Sequence, residues 1–312
     1  MYLAKLREAA QEPGENDAAP TVPAWLDMEK FNRGRQFFVD NIFSCITAML
    51  MSLVLGLSID RFLDPLVFTG KSGEPRKSLR RYISTVRHVI KWHYGDVWDF
   101  SDSDAHKSIM SVRKIHQKVA QDMTKSARCK VKSTENDASN GTDEDVFLSQ
   151  YDMALVQSGF MGMITMYPES FGIQKNITRL DDYIYFWSGI GHLLGISDKN
   201  NICNDGYGKA YAVCKEIEND IVIPALVNPP KDFSIMMNAL IDGLHLFTKY
   251  RLFTFEVILL WISDVYVLEK KLEFYDYTRY YFLRFVFICI RYCGPFRRMA
   301  NRVILRALGV TQ

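Results

Sequence analysis

Over nearly its whole length the chain repeats its apolar residues every three to four positions, and no stretch alternates apolar with polar residues as a half-buried strand does. That periodicity restricts the fold to packed helices, so the predicted class is all-α. The clearest pair lies in residues 81–116, RYISTVRHVIKWHYGDVWDFSDSDAHKSIMSVRKIH, two helical patterns joined by an aromatic and acidic connector. On the first, Arg81, Thr85 and His88 fall at i, i+4 and i+7, which puts a cation, a hydroxyl and an imidazole on one face. On the second, Ala105, Ile109, Val112, His116 and Val119 form an apolar stripe with the imidazole inside it. A histidine so placed has two readings: a core residue whose ring nitrogens are satisfied by neighbours, or a neutral imidazole offered to a metal. Spacing alone leaves both open.

At 312 residues and 36.1 kDa the chain can bury one large core, and no glycine- or proline-rich linker divides it. A single helical domain is expected over residues 25–250. Residues 1–24, rich in acids and prolines where a signal peptide needs an apolar centre, read as a mobile tail. Residues 123–147 are polar and poor in large apolar side chains, and read as a mobile insertion. Residues 37–59 carry no charge after Asp40, a length that meets the minimum for a membrane span, but Asn41, Ser44, Thr47 and Ser52 interrupt it and favour a buried core helix.

Punctuation fixes several helix ends. Pro75 suits the start of the helix that carries Arg81, and Tyr167-Pro168 closes a helix over 148–166, on which Tyr151, Leu155, Ser158, Gly162 and Thr165 share a face slim enough for another helix or a planar ligand. The next helix, 179–196, opens on Asp181 and Asp182 at its positive end and carries His192, a second candidate ligand. Further helices are expected at 205–223, 233–250 and 252–272.

The charge balance, 38 basic against 36 acidic residues, gives no global electrostatic case for nucleic acid. Cys45, Cys129, Cys203, Cys214, Cys289 and Cys293 form no C-x-x-C or C-x-x-C-H, which excludes a zinc ribbon and covalently attached c-type haem and points to a reducing compartment. Motifs for zinc proteases, di-iron bundles, P-loops and nucleophile elbows are absent. The sequons at Asn140 and Asn176 matter only if their loops face a secretory lumen.

The pattern R-x-x-x-T at Arg81 and Thr85, followed some thirty residues on by R-x-x-H at Arg113 and His116, resembles the catalytic domain of latex-clearing rubber oxygenases and fungal endoplasmic-reticulum-bound oxygenases. WLDMEKFNRGRQFFVDN from Trp25, SLVLGLSIDRFLDPLVFTG, residues 150–173 and the D-D…F-W…G-x-L-L-G-I-x-D block of 181–203 follow that family's order over roughly residues 25–250. The resemblance implies a helical domain with a buried b-type haem pocket. In it His116 is the proximal iron ligand, Arg81 and Thr85 serve both the cofactor and the chemistry, and dioxygen cleaves a carbon–carbon double bond in an isoprenoid-like apolar substrate. It also implies attachment to the endoplasmic reticulum membrane, with a cytoplasmic place as the alternative. Two departures stand out. Ser84 occupies the place of the rubber-cleaving branch's lysine, and the region of that branch's glutamate base offers only Asp60 and Asp64. They support an alternative in which a membrane-associated or haem-sensing helical protein has kept the fold without the catalysis.

Residues 251–312 combine dense aromatics with Arg279, Arg284, Arg291, Arg297, Arg298, Arg302 and Arg306 and contain no acid after Asp276. Such C-terminal helices suit a membrane interface, and equally a helix packed on the domain with solvated arginines.

Overall fold

The computed structural model describes residues 2–14, 19–134, 146–261 and 272–310, and every regular element among them is helical. In chain order these are α1 (Tyr2–Glu8), α2 (Met28–Asp40), α3 (Ile42–Gly56), α4 (Asp60–Phe68), α5 (Pro75–Tyr94), α6 (Asp104–Thr134), α7 (Gln150–Met166), α8 (Ile177–Leu194), α9 (Gly206–Ile217), α10 (Ile223–Val227), α11 (Phe233–Thr248), α12 (Phe255–Trp261), α13 (Phe274–Tyr292) and α14 (Gly294–Ala307). Residues 135–145 with the Asn140 sequon, and 262–271 of the expected helix 252–272, lie outside the described residues.

Helix ends have local causes. Pro75 sits in the first turn of α5, where a missing N–H leaves no bond unmade. A reciprocal capping box between Ser149 and Asp152 opens α7, which stops at Tyr167 ahead of Pro168. Asn176 caps α8 by accepting the Arg179 amide at 3.1 Å. At its other end Gly195 turns left-handed, φ 103°, and the Ile196 amide bonds back to the Gly191 carbonyl at 2.9 Å.

The apolar run 37–59 is two helices, α2 and α3 meeting at 87°. Asn41 makes the corner: its buried side-chain amide donates to the Phe37 carbonyl at 2.8 Å, competing with the backbone for continuation of α2. Asn301 of α14 spans the break, accepting from the Phe43 amide at 3.1 Å and donating to the Asp40 carbonyl at 2.9 Å. α3 is largely apolar, and ten of its fifteen residues are buried. No single described helix is long and apolar enough to cross a membrane.

Two expectations differ from the structure. Where composition predicts a tail, Leu3, Leu6 and Ala9 fall at i, i+3 and i+6 and are buried, and Gln150 holds residues 13 and 14 by donating to the Pro13 and Gly14 carbonyls at 3.1 and 2.9 Å. Where it predicts an insertion from residue 123, α6 continues to Thr134. Lysine, arginine and alanine favour the helix there, and Met123 is buried beneath the polar face. The slim face of α7 meets a helix and not an open slot, since a Cβ on Gly162 would lie 3.2 Å from Cys214 Sγ of α9.

Candidate functional site

α5 and α6 are antiparallel neighbours, and their contacts step in opposite directions along the two chains. A Cβ on Gly95 would lie 2.6 Å from that of Ala105. One turn back, Trp92 Nε1 donates to Ser108 Oγ at 3.0 Å, and His88 Nδ1 shares that hydroxyl at 2.6 Å. Seven or eight residues further along each helix the same register brings Arg81 opposite His116, close enough for the guanidinium to depress the imidazole's pKa.

His116 is half-buried, and its pKa is pushed down to about 4, by burial first and by the positive charge of Arg81 second. The ring is therefore neutral near pH 7, the state in which a nitrogen lone pair can bind a metal. Arg81 donates through Nη1 to Thr69 Oγ1 at 2.8 Å and to Ser72 Oγ at 3.3 Å. Burial lowers its pKa without threatening its charge, because guanidinium starts far above the physiological range. Thr85, half-buried one turn on, donates to the Arg81 carbonyl at 3.2 Å, which leaves the oxygen's lone pairs to accept. Ser84, beside it, is exposed. Arg81, Thr85 and His116 thus share one seam.

Three other histidines are engaged differently. His88 is committed to Ser108, its pKa lowered by burial and then by Lys91. His192 is a surface clasp, with Nδ1 3.3 Å from Asp198 Oδ1 and Nε2 3.1 Å from the Thr21 carbonyl, and is not brought to the seam. His93 was not singled out by sequence. It is 1 % exposed, stacked on Phe38 with ring centres 3.6 Å apart, and its pKa falls to about 3, chiefly through burial. Its signal was the stripe Tyr82, Val89, His93, all buried on α5. Thr69 and Ser72 were missed as the holders of Arg81, although a polar turn directly ahead of α5 was visible.

Arg113, the first residue of the R-x-x-H pattern, is buried and reaches the Leu193 carbonyl at 3.5 Å, a cation at the negative end of α8. Asp181 and Asp182 bind α2 instead of the seam. Lys30 Nζ reaches Asp181 at 2.6 Å, and Arg33 takes Asp182 with Nε and Nη2 at 2.9 and 3.1 Å. Asp64 of α4 is held above the usual carboxylate range by desolvation and by Asp60, against Arg61.

Two cavities are lined by none of Arg81, Thr85 and His116. One, about 390 Å³, is lined by residues including Phe31, Arg35, Tyr94 and Trp98; the other, about 170 Å³, by Leu66, Val67, Ile235 and Met236 among others. Among the described residues no group of three or more His, Cys, Asp or Glu is placed to hold a bare metal ion. A metalloporphyrin sets different terms, because it brings four nitrogens of its own and needs one protein donor. His116 is a donor of that kind, a neutral imidazole with the desolvated Arg81 guanidinium nearby.

Comparison with curated proteins and with solved structures gives no match. A family model does match: the catalytic domain of ER-bound oxygenase mpaB/B' and rubber oxygenase, over residues 35–201. The matched segment takes in α5, α6, α7 and α8 with Arg81, Thr85, Arg113 and His116, and it covers more than half of the chain. The helical architecture, the two-helix seam and this match together make the chain a member of the ER-bound oxygenase mpaB/rubber oxygenase catalytic-domain family.

Proposed function

We propose that this protein is a haem-dependent oxygenase in which His116 would hold the iron of a b-type haem, acting with dioxygen on a carbon–carbon double bond of an isoprenoid-like apolar substrate at the endoplasmic reticulum membrane. The observation that supports it is the half-buried imidazole kept neutral down to about pH 4, set against a fixed cation inside the family-matched segment. Bound haem supplies the binding and activation of dioxygen; the chain supplies the surroundings. His116 offers its lone pair. Arg81, pinned by Thr69 and Ser72, keeps its remaining N–H groups for a carboxylate, and its pinning limits the entropy lost on binding. Thr85 presents a hydroxyl acceptor one turn away, where it can orient a proton donor.

Absorption spectroscopy of the full chain expressed with ample haem precursor tests the reading. Wild type is expected to show a Soret band. His116→Ala should lose most of it, and Arg81→Ala should weaken haem retention roughly 10–100-fold, as loss of supporting contacts does at metal sites. Thr85→Val should keep the haem and lower the yield of carbonyl products from polyprenyl substrates. Equal haem in wild type and His116→Ala would remove His116 from the metal.

A second reading rests on Ser84. In the rubber-cleaving branch that place belongs to a lysine; here it is an exposed serine, and Asp60 and Asp64 stand where that branch draws its glutamate base. A haem-binding protein without the cleavage reaction would give the Soret band and its loss in His116→Ala, with no carbonyl product from any polyprenyl chain.

A further inference from the structure

α13 is apolar on two opposite faces. Leu283, Phe287 and Ile290 are buried on one, with the Phe287 ring 5.4 Å from Trp261 and 5.6 Å from Phe171. An ion pair between Arg291 and Glu169 holds the helix further along, so its rotation about its own axis is fixed. On the opposite face Phe274, Tyr281, Phe285, Ile288 and Tyr292 are 76, 64, 62, 51 and 70 % exposed. Their spacing of three, four and seven residues, at ~100° per residue, centres them about 180° from the buried stripe. A contiguous exposed stripe of four aromatic rings and an isoleucine is the kind of patch that marks an interaction surface.

α14 follows after Cys293 and adds charge. Arg298, Arg302 and Arg306 fall at i, i+4 and i+8 beside exposed Met299 and Val303, and none of the three has an acidic partner among the described residues. Residues 277–310 hold seven arginines and no acid, in a chain whose net charge is only +2. Both helices lie outside the family-matched segment.

We propose that α13 and α14 are a docking surface for an anionic phospholipid membrane, with α13 lying in the plane of the interface, its aromatic stripe at the acyl boundary and the arginines at the head groups. A span is excluded by Asp276, Arg279, Arg284 and Arg291 within the 19 residues of α13. A second copy is a poor occupant, because apposing two such surfaces would bring like charges together, whereas an anionic bilayer is complementary to them. The inference deepens the membrane location proposed above and is independent of haem.

The test is sedimentation of the full chain with vesicles of phosphatidylcholine alone or mixed with phosphatidylserine. Wild type should follow the serine-containing vesicles, less so at high salt. The variant Tyr281→Ser, Phe285→Ser, Ile288→Ser and the variant Arg298→Ala, Arg302→Ala, Arg306→Ala should both bind more weakly, the second by on the order of a hundredfold if each arginine contributes as basic residues near anionic surfaces do. All six side chains point to solvent, so helix content and melting temperature should match wild type. Failure of wild type to bind, or variants that bind as well as wild type, would overturn the proposal. So would a dimer that the serine variant dissolves while vesicle binding persists. A Soret band measured on the same preparations separates the two ideas: a band without vesicle binding sinks the docking surface alone, and binding without a band sinks the haem alone.

Discussion

A histidine kept neutral by its surroundings makes the folded state reluctant to take up a proton that the unfolded chain accepts readily. For His116 the folded value is about 4 against an ordinary value of 6.5, so between those limits the unfolded chain holds more protons and stability declines as pH falls. His93, at about 3, extends the decline downward. Above pH ~7 neither contributes any slope. Urea midpoints of wild type should fall steadily from about pH 6.5 to about pH 4, and His116→Gln should flatten part of that fall; parallel profiles for the two proteins would contradict the depressed value. At this scale the helical period was enough to put Arg81, Thr85 and His116 on facing stripes. It could not name Thr69, Ser72 or Ser108, because a hydroxyl reached across a turn or a helix interface leaves no mark on periodicity.

Among the helices, α2 and α8 approach each other closely. A Cβ on Gly34 would lie 2.0 Å from the Asp182 carbonyl oxygen, and backbone cannot swing aside as a flexible side chain can. Gly34→Ala should therefore part the two helices and loosen the Arg33–Asp182 pair, for a loss of ~1–3 kcal/mol, the size of other overpacked sites. Chemical denaturation would read that loss directly, and a change under ~1 kcal/mol would mean that the crossing is looser than drawn. Helix ends marked by proline or by an Asn cap were legible from sequence. The corner at Asn41 was not, since one asparagine inside an apolar run reads as an interruption of a helix, and its local bond to Phe37 makes a turn only with the tertiary bonds that Asn301 adds.

For the whole molecule, a connected hydrophobic cluster takes in residues from Leu3 to Leu308, so the first and last described helices share it with the seam. The all-helical class was readable from the start, whereas the placing of α1 was not, because three short apolar contacts disappear in a stretch dominated by acids and prolines. Asn301→Ala would leave the Phe43 amide and the Asp40 carbonyl without their partner, and the midpoint of unfolding should drop by the equivalent of ~1–3 kcal/mol. A wild-type midpoint in that variant would show the corner to be held by packing alone. The same side chain bears on biogenesis. Phe43 emerges from the ribosome 258 residues before Asn301, an interval of some tens of seconds at ordinary rates of synthesis. Throughout that time the corner between α2 and α3 stands without the brace that Asn301 later supplies, held only by the Asn41 side chain and local packing.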